Sequence, residues 1–202
     1  EIPNCIGTWR FKKRRDGLTT RRMCRKLWKA IQPKYANSWC GIQSKTGPDA
    51  KDVCWETLMT GYKALPQFFK PEQSGSTDPK KKLEFREPPT RLTKTNKSYV
   101  LDNEHQDNSL NTTLDFRDTV SDAYDGQEIL DLSLDEFAKW EKASALRAFI
   151  TYNKCVWKDG VKVGHIHSFS SPSQKNGRPH DESLAMWELG NPERSLDNIN
   201  SL

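Results

Sequence analysis

The chain has 202 residues, 34% hydrophobic and 29% charged, with a mean hydropathy of −0.87, a composition that predicts a polar, soluble chain able to bury one modest core. No run approaches the roughly 20 apolar residues of a membrane span, and seven tryptophans exclude a wholly disordered polymer. Charge is unevenly placed: residues 1–70 hold 15 Lys and Arg against 5 Asp and Glu, residues 71–114 hold 7 against 7, and residues 115–202 hold 10 against 15. A basic leading part implies a polyanionic partner, or neutralisation by the acidic end. The opening at Glu1 rather than Met is read as the mark of a removed leader, polyprotein segment or tag.

Three zones are expected in chain order. In residues 1–70, Thr19 or Thr20 caps a helix running to Gln32, because Pro33 cannot continue it. Met23, Leu27, Ala30 and Ile31 form its apolar stripe, opposite Arg21, Arg22, Arg25, Lys26 and Lys29. A second helix is predicted from Asp49 to Leu65, burying Cys54, Leu58, Tyr62 and Leu65. Residues 71–123, rich in Pro, Ser, Thr, Asn and charge, read as a polar linker or extended surface segment.

In residues 124–202, Tyr124-Asp-Gly-Gln is turn chemistry, and Ser133-Leu-Asp-Glu136 is a capping box that opens a helix to about Ala148. Phe149–Trp157 and Val161–Phe169 are predicted to pair as a hairpin around Lys158-Asp159-Gly160, and a short helical stretch follows near Glu182–Leu189. The class expected is α+β: a basic helical N-terminal module, an extended polar linker, and an acidic C-terminal module of one helix and a β-hairpin.

Three constellations carry chemistry. Arg10, Lys12, Lys13, Arg14 and Arg15, followed by Arg21, Arg22, Arg25 and Lys29, supply phosphate contacts, while Trp9 and Trp28 offer faces on which bases stack. The function expected on this ground is non-catalytic binding of nucleic acid, RNA above all, inside a larger assembly with protein partners. Cys5, Cys24, Cys40, Cys54 and Cys155 lack any CxxC pair, which argues against a zinc finger. As disulfide staples, the first four would suit a secreted protein-binding module with glycans at Asn96 and Asn111; as thiols they suit an intracellular chain, the reading preferred here.

His165-Ile-His167 places two imidazoles on one face of a strand, where with Asp181 they could hold a divalent metal and serve a hydrolase or nuclease. This element resembles the metal-binding strand of rolling-circle endonucleases and the zinc motif of metal-dependent isopeptidases. No tyrosine follows Tyr152 as the first family requires, and Ile166 stands where the second has Ser or Thr. No cofactor is otherwise expected. A Gly-rich phosphate loop of the usual pattern is absent from the sequence.

Overall fold

A computed structural model describes residues 5–74, 78–86, 110–172 and 177–189. Six strands form one sheet: β1 (Gly7–Phe11), β2 (Trp39–Gln43), β3 (Lys82–Phe85), β4 (Thr112–Phe116), β5 (Ile129–Asp135) and β8 (His165–Ser170), in the order β1-β8-β5-β2-β4-β3. Five run parallel, and β3 closes one edge antiparallel to β4. β6 (Trp157–Lys158) and β7 (Val161–Lys162) form a separate two-stranded ribbon. Helices plus a mixed sheet make this an α+β protein, as expected.

Parallel strands need both faces covered, and each face here carries its own core. On one side α1 (Leu18–Ala30) and α2, a helical run over residues 47–64 whose middle Ala50–Trp55 is π-helical, pack Met23, Leu27, Trp55 and Leu58 onto Ile42, Leu114 and Phe169. On the other, α3 (Ala145–Asn153) and the 3₁₀ turn Phe137–Lys139 cover Leu132, Leu134 and Ile166, with Tyr124, Trp140 and Met186 of α4 (Arg178–Leu189) in the same cluster. The period of two in β5 divides it sharply: Leu132 and Leu134 enter the second core, whereas Asp131 meets Lys26 of α1 and Asp135 meets Ser44 after β2.

Several expected elements change. Ile129–Asp135 is a central strand rather than the start of a helix, because a fully buried strand shows little polar alternation and its carboxylates, Asp131 and Asp135, find partners only across the fold. Residues 145–153 are helical, capped by the Ser144 hydroxyl, so the helix expected to about Ala148 begins later and runs on through Phe149–Asn153, where the β-rich composition predicted a strand. The Asp159-Gly160 turn is present, with both residues at positive φ, but its hairpin is only two residues long on each side, and the chain leaves it to insert β8 between β1 and β5.

The middle zone supplies strands β3 and β4, so it is not solely a linker, while its residues 87–109 lie outside those described. The N- and C-terminal zones share one sheet: β1 and β2, from the first seventy residues, flank the pair β8 and β5 from the last eighty. The first two helices form close to their expected bounds, and Met23, Leu27, Ala30 and Ile31 are buried as expected. Lys26 and Arg22, expected on the polar face, are buried as well.

Candidate functional site

In an open parallel sheet, ligands collect outside the carboxyl ends of the strands, at the place where successive connections depart in opposite directions. Here the chain leaves β5 toward β8 on one side and leaves β2 toward β4 and β3 on the other, so that place lies at the ends of β5 and β2. Asp135, the last residue of β5, is 3% exposed. Its Oδ2 accepts a hydrogen bond from Ser44 Oγ at 2.9 Å, while Oδ1 is buried with no hydrogen-bond partner among the described residues. Burial raises its pKa above the usual carboxylate range, and the Ser44 hydroxyl only partly offsets this.

Glu136 follows at positive φ (49°), a conformation that non-glycine residues hold only where their surroundings impose it. Its backbone N–H donates to Phe169 O at 2.8 Å, and its carboxylate accepts from Ser171 Oγ at 3.0 Å and pairs with Lys139. Lys12 Nζ, arriving from the end of β1, stands 3.7 Å from the same carboxylate. Burial alone would raise the Glu136 pKa, but Lys139, Ser171 and Lys12 outweigh it and hold the group ionised below its ordinary range.

The loop from β1 to α1 completes this edge. Lys12 N–H donates to Ser170 O at 2.9 Å, tying the loop's first residue to the neighbouring strand. Lys13, Arg14 and Arg15 follow, all exposed, and positive φ at Arg15 (60°) and Gly17 (73°) turns the chain into α1. Asp16 Oδ1 accepts from Leu18 N–H at 2.9 Å, which fixes the helix start. The result is a cationic loop feeding the positive end of a 13-residue helix, two strands away from a buried aspartate and a charged glutamate.

A second polar cluster lies deeper, between α1 and the sheet. Lys26, with no exposed surface, donates to Gly41 O (2.9 Å), Asp131 O (2.6 Å) and Asp131 Oδ1 (2.7 Å), and Lys29 reaches Asp131 Oδ2 at 2.7 Å. Asp131 is buried, which would raise its pKa, yet Lys26, His167 and Lys29 hold it well below its ordinary range. His167 Nε2 lies 3.5 Å from Asp131 Oδ2, and its Nδ1 meets Thr8 Oγ1 at 3.0 Å. Burial lowers the His167 pKa below its ordinary value, against the opposing pull of Asp131.

These placements sort the residues singled out from sequence. Of the nine cations, Lys12 and Lys29 are matched by carboxylates of the acidic half, and Arg22 is 8% exposed with its pKa lowered by burial and by Arg10. Arg10, Lys13, Arg14, Arg15, Arg21 and Arg25 are exposed, and no ion pair joins them to a carboxylate among the described residues. Trp9 is half-buried, its ring packed 4.1 Å from Phe149 and 5.7 Å from Phe137, centroid to centroid. Trp28 is 54% exposed.

His165 and His167 sit side by side, but Asp181 lies on α4 against His180, and no group of three or more His, Cys, Asp or Glu gathers as a metal cage among the described residues. All five cysteines are free thiols, so the staples considered for Cys5, Cys24, Cys40 and Cys54 are not formed. Cys40 lies in the central strand β2, and burial pushes its thiol up to about 12. Asn111 precedes β4, while Asn96 lies outside the described residues. No helix among the described residues is long and apolar enough to cross a membrane.

Sequence reasoning missed Asp135, Glu136, Ser44 and Ser171. Asp135 and Glu136 read in sequence as part of a capping box, and Asp135 also as one of an acidic run; the signal that separates a buried strand-end carboxylate from either is which strand it pairs with. Compared with known proteins, the chain matches no family model and no curated protein.

Proposed function

We propose that this chain binds a nucleoside triphosphate with a divalent cation at the carboxyl edge of the sheet and hydrolyses it, with nucleic acid as its macromolecular partner. The observation that carries this reading is the cationic strand-to-helix loop, Lys12 to Gly17, set across Ser170 and Ser171 from Asp135 and Glu136. Phosphates are held by backbone amides at a helix start and by basic side chains, and their cation takes hard oxygen ligands. Lys13, Arg14 and Arg15 serve the first need. Asp135, with one uncommitted carboxylate oxygen, and the hydroxyls of Thr19 and Thr20 at the helix start serve the second.

Lys12 is held by Glu136, ready to exchange that partner for a phosphate. Glu136, kept ionised, accepts a proton from the water that attacks the γ-phosphorus; the bond to the β–γ bridging oxygen breaks, releasing nucleoside diphosphate and inorganic phosphate. The loop departs from the G-x-x-x-x-G-K-[ST] pattern, since Leu18 stands before Thr19 and the cations come at the loop's beginning. With this departure no phosphate-loop motif is readable in the sequence, and the hydrolysis proposed here goes beyond the non-catalytic role expected from composition.

The test is phosphate release by the full chain with ATP or GTP and Mg²⁺. Glu136→Gln is expected to slow turnover about 100-fold while nucleotide binding persists, and Lys12→Ala to weaken binding itself. Absence of Mg²⁺-dependent nucleotide binding at millimolar concentration overturns the reading. Nucleic acid as the partner is favoured by a separate observation, the six exposed cations of β1, its following loop and α1 that have no carboxylate partner among the described residues. Their binding is expected to weaken steeply with salt, by a log–log slope of about −0.7 per phosphate on a single strand.

A further inference from the structure

Beyond the sheet edge, exposed groups converge along α1 and at its far end. Arg21, Arg25 and Trp28, spaced i, i+4 and i+7, make one exposed stripe about 10 Å long. At its foot Trp28 borders a cleft of about 490 Å³, walled by Ile31, Phe68 and Phe69 and rimmed by Lys70, Glu72 and Arg86. The aromatics there are unusually bare: Phe68 is 82% exposed, Trp28 54% and Phe69 48%. The two phenylalanine rings lie 4.6 Å apart at 43°. Contiguous bare aromatic surface marks a place where something binds.

The charge around it states what. The rim itself carries both signs, Glu72 beside Lys70 and Arg86, and what favours nucleic acid is the surface that leads to it, where Arg21 and Arg25 have no carboxylate partner among the described residues. Guanidinium groups that follow phosphates, leading to aromatic faces that receive bases, are the two elements of a single-strand site. A duplex keeps its base faces stacked and has no use for Phe68 or Trp28.

We infer that the cleft at the end of α1 is a base-stacking platform for single-stranded nucleic acid, whose phosphates run back along Arg25 and Arg21. This rests on nucleic acid being the partner and names its form and path. A strand so placed leads toward the nucleotide edge, since α1 begins at the loop after β1.

The experiment measures fluorescence anisotropy of labelled twelve-residue oligothymidylate and of a twelve-base-pair duplex with the full chain, at two salt concentrations, for the native protein, Trp28→Ala, Phe68→Ala and Arg21→Ala/Arg25→Ala. The aromatic positions are exposed, so these variants keep the fold, which a thermal melt checks. Expected are tighter binding of the single strand than of the duplex, and a five- to hundredfold loss in either aromatic variant with the salt slope unchanged. The arginine variant is expected to lose affinity with a shallower slope. Native affinity for oligothymidylate with no loss in Trp28→Ala and Phe68→Ala overturns the platform and leaves the nucleic-acid partner standing. Equal or tighter duplex binding overturns it too. No salt-dependent binding of either probe removes the partner and the platform together.

Discussion

Asp131 and Asp135 occupy the same strand and the same face, four residues apart, and their surroundings drive them in opposite directions. Asp131 is compensated by Lys26 and Lys29, and its pKa is depressed, so its stabilisation is present above the unfolded value of about 3.9 and is lost as pH falls through the lower folded value. Asp135 has one hydroxyl and a vacant lone pair, and its pKa is raised. Its sign is reversed: the contribution is favourable below about 3.9 and is lost as pH rises through the folded value. Asp135→Asn is therefore expected to raise the Tm at pH 7, to leave it nearly unchanged at pH 3, and to abolish nucleotide turnover. Melts at the two pH values check this; a lower Tm at pH 7 would show that the buried carboxylate is not a strained group. Such a trade of stability for chemistry is the usual signature of a working residue.

At the scale of the elements, the tightest constraint falls where the short ribbon hands the chain to β8. A Cβ at Gly164 would stand 1.8 Å from Ile129 O, a backbone atom of the adjoining central strand that cannot yield. At Gly41 it would meet the Tyr124 ring at 2.6 Å, and that ring is itself fixed by its hydroxyl's bonds to Ile42 N–H and Asp115 Oδ1. Gly164→Ala is expected to cost about 3 kcal/mol, measured by urea denaturation, because it prises β8 from β5. Gly17→Ala, which has open space around it but a positive φ, is expected to cost no more than about 1 kcal/mol. The same contrast explains how the elements were misread. The apolar stripe of α1 sets its own helix, so Met23 and Leu27 were legible; α3 and β5 draw their state from neighbours, so Phe149 and Ser133 were not.

For the molecule as a whole, interleaving is the governing fact. β1 pairs only with β8, and β2 lies between β4 and β5, so every strand of the first seventy residues depends on strands from later in the chain. A fragment of residues 1–70 is expected to show helical content without a cooperative melt, whereas the full chain melts in one transition, compared by circular dichroism. A cooperative melt of the fragment would restore the separate basic module expected from sequence. The interleaving also distributes charge: Asp131 of β5 and Glu136 just after it neutralise Lys26, Lys29 and Lys12 from the inside, while Arg10, Arg14, Arg15, Arg21 and Arg25 stay at the surface.

By itself the sequence determined what depends on local order: the bounds of α1 and α2, the Asp159-Gly160 turn, the mixed helical and strand class, and an excess of positive charge at the front. Those follow from side-chain period, proline and glycine geometry and simple counting, none of which needs to know which segments meet. Tertiary structure alone decided which cations stay free, that the Trp9 ring packs on Phe149, and that Asp135 ends a strand, with Glu136 next, beside the loop that carries Lys12. Each of these depends on contacts across a hundred residues or more, set by strand pairing and by the cost of burying a charge without a partner, and no periodicity along the chain encodes them.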